Sequence, residues 1–297
     1  MHGVLVIDKP AGPTSFEVVR RVRTLLRTRK AGHTGTLDPL ATGVLPVCLG
    51  DATKIAGFIT EGDKAYTAVI RLGAETDTCD AAGKVTSEAE VPHLTRELLL
   101  GALGAFCGPQ LQVPPMYSAV KVAGRRLYER ARAGEEIARE PRKVTVHALD
   151  LVDFAERELT VTVRCSKGFF VRVLALDLGR KLGCLAHLKA LRRTASGPFT
   201  LQRAVPLEEL EELVRGGGAA GLEEVGSRLV SLSDALAEVP ALELSADAAA
   251  KVAHGVPFEA AAAAPSGRVR LLDSSGRLLA VAEVAADRRV RYLRVLA

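Results

Sequence analysis

The chain has 297 residues, 48% hydrophobic and 25% charged, with a net charge of +5, a pI near 9.0 and no tryptophan. This length suits about two domains with a sizeable core, and the basic balance suits a polyanionic partner without establishing one. Cys48, Cys79, Cys107, Cys165 and Cys184 are odd in number, scattered and free of any C-x-x-C pair, which argues against a disulfide framework and a structural zinc site.

Free thiols in a reducing cytosol are the plainer reading. Met1 to Pro13 is a short apolar run followed by a Pro/Gly turn, unlike a signal peptide. No stretch approaches the length that spans a bilayer. A cytoplasmic protein is expected.

Gly3 to Asp8 reads as a short buried strand closed by the turn Lys9-Pro10-Ala11-Gly12-Pro13. Thr14 and Glu17 stand at capping-box spacing, so a helix should start there. Phe16, Val19, Val22 and Leu26 give it an apolar stripe. Its other faces carry Arg20, Arg21, Arg23, Arg27, Arg29 and Lys30, a pattern equally typical of a plain solvated face.

In Tyr66 to Leu72, Tyr66, Ala68, Ile70 and Leu72 share one face, and Leu159 to Cys165 alternates in the same way. Both fit half-buried strands. Thr95 should cap a helix running to Phe106, and Leu174 to Leu182 reads as another. Strands and helices mix without strict βαβ alternation, which predicts an α+β class. Arg215 to Gly221 looks like a Gly/Ala linker, and Glu259 to Pro265 like a tolerant loop. Strands near Arg268 to Leu272 and Leu278 to Val284, joined by Asp273-Ser274-Ser275-Gly276, predict a hairpin within a small β-rich module at 239–297.

The most unusual stretch is Gly32-His33-Thr34-Gly35-Thr36-Leu37-Asp38-Pro39-Leu40-Ala41-Thr42-Gly43-Val44-Leu45-Pro46. Three glycines and two prolines around one carboxylate predict a tightly turned loop. Such a loop holds side chains in fixed directions, which suits a site. An aspartate before proline is also an ordinary turn former, and residue types alone leave both readings open.

This run closely resembles the signature of the bacterial tRNA pseudouridine synthase B family, whose G-H-T-G-T-L-D-P motif holds the catalytic aspartate. Further resemblances follow in order: Asp8-Lys9-Pro10 with Gly12 to Ser15, Lys64-Ala65-Tyr66, Leu72 to Thr78, Val113 to Lys121, Cys165 to Arg172, and Ala186 to Arg193. They cover residues 1 to about 235 and, more loosely, the tail. The resemblance implies a pseudouridine synthase fold, a mixed antiparallel sheet flanked by helices over 1–238. An RNA-gripping insertion at about 113–143 and a C-terminal PUA-like RNA-binding module complete it.

The implied activity isomerises one uridine of the tRNA T-stem-loop to pseudouridine, with Asp38, Arg172 and Tyr66 as catalytic residues. No atoms are gained or lost, so no cofactor is required, and no metal is implied. One carboxylate can serve as nucleophile or base at the ribose, if a tight loop orients it. Arg172 stands where the family pairs a guanidinium with the aspartate, which keeps a desolvated carboxylate ionised. If that pair is buried, losing one partner should cost about 3–5 kcal/mol.

The uridine must leave the RNA stack, at a cost of a few kcal/mol. Tyr66 matches the tyrosine that stacks on it, and such stacking returns about 1–3 kcal/mol. His33 matches the residue that enters the RNA where the uridine left, and Leu191, read as lying on a helix face, the one lining the pocket. Lys9, Arg192 and Arg193 complete the implied substrate contacts. Taken singly, a strand tyrosine, a lone histidine or a helix-face leucine is more often structural.

Phe170, also among the implied substrate contacts, departs from the family's usual tyrosine: it keeps the flat packing surface, and a hydroxyl there is not needed. Lys121 to Lys143 holds eight basic and four acidic residues, as an RNA-gripping segment would. A stand-alone monomer without membrane or guide RNA is expected. Three other readings compete: a guide-RNA-dependent pseudouridylase, an RNA-folding helper without chemistry, and a zinc transglycosylase. The last needs a Cys/His cluster that this chain lacks.

Overall fold

The computed structural model describes residues 1–296. Its centre is one large mixed sheet, with strand order Val205–Pro206, Gly3–Lys9, Thr42–Leu49, Ala186–Ser196, Lys64–Leu72, Glu158–Cys165, Arg142–Ala155 and Gly108–Gln112. Two pairings are parallel, Gly3–Lys9 with Val205–Pro206 and Thr42–Leu49 with Ala186–Ser196. The others along this path are antiparallel. Where the sequence alternates, the burial alternates: Leu159, Val161, Val163 and Cys165 are buried and the residues between them are not. A strand that presents one face to a core places every second side chain there.

The helix Ser15–Leu25 begins at a complete capping box, Thr14 accepting from the Glu17 amide and Glu17 accepting from the Thr14 amide. Val18, Val19, Val22 and Leu26 face the core. Phe16 does not join that stripe and is 71% exposed. One residue after the first helical position, it points outward while Ser15 and Val18 turn inward. All six basic residues from Arg20 to Lys30 are exposed.

Several expected boundaries shift. The helix after Thr95 closes at Gly104, and the one expected from Leu174 begins at Val171. The glycine-rich run narrows, because Ala31–His33 and Thr42–Leu49 are strands and only the residues between them turn. The block after Ala186 is a strand, not a helix. Its partner Lys64–Leu72 sets its register, with Leu191 opposite Ala68. The expected linker lies inside the helix Leu207–Ser227, which kinks at Gly218, φ 54° and ψ −125°. The glycines, poor helix formers, break the helical geometry at Gly218, while Leu207 and Leu210 before the break and Val225 after it are buried in the main core.

Beyond 239 a four-stranded sheet forms, Ala241–Glu243, Gly267–Leu272, Leu278–Val284 and Val290–Val295 in that order. The turn between its middle strands closes on Asp273, whose Oδ1 accepts from the Ser275 and Arg277 amides, with Gly276 at φ 80°. Val269, Leu271, Ala280 and Ala282 build its own core with the helix residue Val252. Leu272, Leu278 and Val281 pack instead with Val4, Val6, Val44 and Phe199 of the large sheet. The class is α+β with a β-rich C-terminal part.

Candidate active site

One row of residues crosses the large sheet: Lys9 opposite Gly43, Gly43 opposite Arg193, Arg193 opposite Tyr66 and Tyr66 opposite Val163. Opposed strand residues share a face, so Lys9, Arg193 and Tyr66 point to the same side. The row needs a glycine at its centre. Gly43 has φ 98°, and a Cβ there would collide with the Arg193 carbonyl oxygen.

The turn carrying Asp38 is tied to this row through its carbonyls. Lys9 Nζ donates to Ala41 at 2.7 Å, Pro10 at 2.9 Å and Pro39 at 3.3 Å. Arg193 Nε donates to the Val44 carbonyl at 2.7 Å, and its Nη2 to that of Gly35 at 3.1 Å. Ser15 Oγ accepts from the Leu37 amide and donates to the Leu37 carbonyl, at 2.8 and 3.0 Å. The Gly12 amide donates to the Pro39 carbonyl. A turn whose backbone is bonded at so many points holds its aspartate in one place.

Lys9 and Arg193 therefore correct the sequence reading, which assigned them to substrate. Both are buried, at 0% and 1% exposure. The Lys9 amine and the Nε and Nη2 of Arg193 serve backbone carbonyls, which sets both residues to bracing the turn. Burial pulls the Lys9 amine down to about 8, with Asp38 opposing and Arg193 adding to the fall. Arg192, on the opposite face of the strand, is half-exposed but clamped on Asp8, Nη2 to Oδ2 at 2.6 Å and Nη1 to Oδ1 at 3.1 Å. Its fork joins two strands.

Arg172 comes from the first turn of the helix Val171–Leu182. Its Nε lies 3.0 Å from Asp38 Oδ2 and its Nη2 3.3 Å from Oδ1. Nη2 also donates to the Tyr117 carbonyl at 2.7 Å, and Nη1 to that of Thr78 at 3.0 Å. Nη1 stands 3.7 Å from a second carboxylate, Asp80. The two aspartates differ in access. Asp80 is 6% exposed and accepts from Thr78 Oγ1 and the Ala82 amide, whereas the Asp38 side chain is 31% exposed. Only Asp38 is open to a ligand.

Burial pushes the Asp38 carboxyl above its usual range; Arg172 opposes this most, and Asp80 adds to it. The Tyr66 phenol is raised by burial against the pull of Arg193. The His33 imidazole is lowered, first by burial and then by Arg193. Its Nδ1 accepts from the Gly35 amide, which assigns the ring proton to Nε2.

The structure thus brings Asp38, Arg172, Tyr66 and His33 around one row of strands. Leu191 lies on the same face two residues from Arg193, buried in the main core. Phe170, half-buried, is the N-cap residue of the helix that carries Arg172. Asp80 and Gln112, which touch Arg172 and Phe170, escaped sequence reasoning. Nothing in an isolated Asp or Gln announces such a partner, although Asp80 lies two residues past the motif that ends at Thr78.

The architecture is shared with a solved Cbf5–Nop10–Gar1 complex at a TM-score of 0.79 and 26% identity, covering 100% of this chain and 84% of that one. The chain is 46% identical over 296 residues to tRNA pseudouridine synthase B of Stutzerimonas stutzeri, covering 100% of this chain and 96% of the relative. It is also 46% identical to the protein of that name from Geobacter sulfurreducens, over 310 residues and 99% of both chains. The fold is that of the pseudouridine synthases, which are isomerases.

Residues 23–171 match the N-terminal domain of the TruB family of pseudouridylate synthases. Residues 172–231 match the C-terminal domain of tRNA pseudouridylate synthase B, and 240–296 the C-terminal region of pseudouridine synthase II TruB. The chain belongs to the TruB family of pseudouridylate synthases.

Proposed function

We propose that this chain converts the T-stem-loop uridine of tRNA, U55, to pseudouridine, acting alone and with Asp38 as the reacting carboxylate. The observation that carries the reading is the asymmetry around Arg172: two carboxylates meet one buried guanidinium, and only Asp38 is accessible. The relatives' names supply tRNA as the substrate class. An extruded uridine meets Asp38 at its ribose and Tyr66 at its base. Arg172 keeps the carboxylate ionised while the base excludes water. His33, neutral by its surroundings, fills the place the base leaves. The exposed Arg20 to Lys30 and the insertion at 113–143 hold phosphates, with the segment from 239 as a PUA-like second contact. With five free thiols, the working compartment is the reducing cytoplasm.

The test uses the purified full-length chain and a tRNA transcript labelled at uridine C5. Tritium release with the pseudouridine mapped to the T-loop is the expected result, and Asp38→Asn should stop release while RNA binding persists. Release by that variant would remove Asp38 from the chemistry. The likeness to Cbf5 in a multiprotein complex favours a second reading, a guide-dependent enzyme. Activity that appears only after a guide RNA and partner proteins are added would select it.

A further inference from the structure

Gln112 ends the strand Gly108–Gln112 and is 3% exposed. Its Oε1 accepts from the Phe170 amide at 2.7 Å, and its Nε2 donates to the Phe170 carbonyl at 3.0 Å. The orientation of the amide follows from its partner, because a backbone N–H only donates and a carbonyl only accepts. One side chain thus pairs with one residue's backbone as a neighbouring strand would.

Phe170 is the N-cap of the helix Val171–Leu182 and makes no side-chain cap bond. Phenylalanine has no polar atom with which to do so. Its carbonyl receives the Val173 and Leu174 amides at 3.1 and 3.2 Å, so the helix starts from wherever Phe170 is held. What holds it is the amide of Gln112. A second bond ties the helix start, Arg172 Nη2 to the Tyr117 carbonyl, and it comes from the guanidinium that also grips Asp38. The helix start is pinned to the strand end by Gln112 and to the residues just beyond it by Arg172.

We propose that Gln112 is a positioning residue of the active site: by fixing the Phe170 backbone, it sets Arg172 against Asp38. The proposal rests on the reading of Asp38 and Arg172 given above. It predicts an effect on chemistry and not on RNA affinity, since Gln112 is buried away from any phosphate.

The test is the full chain carrying Gln112→Met, similar in size but without the amide, beside Gln112→Glu, which keeps the acceptor and loses the donor. Under single-turnover conditions with saturating tRNA, Gln112→Met should lose about 10- to 100-fold in rate, Gln112→Glu less, with Kd held within about twofold. The acid limb of the pH–rate profile should move to higher pH, because a displaced guanidinium no longer favours the Asp38 anion. Nitrogen-15 NMR of the Arg172 Nε–H in the free protein reads the same displacement without turnover, as a shifted or broadened signal.

An unchanged rate, an unmoved acid limb, a loss confined to Kd or an unaltered Arg172 signal would each overturn the proposal. A wild-type chain that forms no pseudouridine, with an Arg172 signal that still moves in Gln112→Met, would refute the reaction and keep the positioning role. Should Gln112→Met fail to fold, Gln112→Glu carries the same rate, pH and NMR comparisons.

Discussion

The turn that carries Asp38 and the insertion at 113–143 both touch the Arg172 guanidinium, yet they are secured by different physics. In the turn, the carbonyls of Gly35, Pro39 and Ala41 are taken by buried Lys9 and Arg193, and Leu37 is bonded on both sides by Ser15. In the insertion, the hairpin Lys121–Val122 with Arg125–Arg126 and the helix Leu127–Arg132 bury little beyond Leu127. Of its ion pairs, Arg125–Glu135 and Arg126–Glu129 are exposed, and Arg130–Glu135 and Arg139–Glu136 are only partly buried. Such pairs contribute about 0–1 kcal/mol each.

In the proposed reaction the carboxylate needs one position, and buried donors lock the backbone that carries it. The insertion, proposed to hold RNA phosphates, belongs to the weakly held end of the structure. Arg172 joins the two regimes, through Asp38 on one hand and the Tyr117 carbonyl on the other.

Breaking that joint should have the largest effect. Arg172→Met leaves Asp38 and Asp80 without their shared cation, and about 3–5 kcal/mol of stability should be lost, measured by urea denaturation. Turnover should fall by about 100-fold or more. A loss below about tenfold would mean that the pair does not hold the carboxylate. In the wild type, rate should decline as pH falls through the Asp38 pKa, which burial has raised. The decline should begin at higher pH than for an ordinary aspartate.

Lys9→Met tests the locked side alone. Three carbonyls lose a charged donor, at about 1.5–3 kcal/mol. The pH dependence has a definite sign. The folded-state pKa of Lys9 is about 8 against 10.5 when free, so between those values the unfolded chain binds more protons, and this group's contribution to stability rises with pH. Denaturation at pH 7 and pH 10 should show the wild type gaining relative to Lys9→Met. The opposite sign would mean that folding holds the amine charged, with its folded-state pKa above the free value.

On the yielding side, Arg126→Ala with Arg132→Ala removes the two guanidiniums beside the Tyr128 ring, 5.8 and 5.7 Å from its centre. Stability should change by less than about 0.5 kcal/mol. RNA affinity should fall, and the slope of log K against log salt should drop by about 1–2. An unaltered slope would place the phosphate contacts elsewhere.

Phe170→Tyr should matter least. The Phe170 backbone, not its ring edge, is what Gln112 holds, so turnover should stay within severalfold. A drop of orders of magnitude in a single-turnover assay would show that the ring edge is sterically constrained.

Much of this was legible locally. The strands from Tyr66 and from Leu159 announced themselves because one face is buried and the alternation is strict. The start of the first helix was legible because Thr14 and Glu17 satisfy each other within four residues. The hairpin after Leu272 was legible because its turn is closed by its own aspartate. Asp38 and Arg172 were legible only through family resemblance, since residue types left a plain turn equally open.

The misreadings share a cause. Lys9 and Arg193 look like surface cations, and what makes them internal is a set of carbonyls from another strand and from the turn, up to 158 positions away. The run from Arg215 reads as a linker because its glycines disfavour a helix; the chain does break at Gly218, and core contacts from outside the run hold the helical pieces on either side.

By itself, the sequence determined the periodicities, the caps and turns closed within a few residues, and the glycine that an αL or close-packed position demands. Those are local, and the chain carries both partners side by side. Which cation is buried, which of two aspartates stays open, and how Gln112 meets Phe170 were decided only by tertiary structure. Charge, burial and hydrogen bonding at these places depend on partners that folding alone brings into contact.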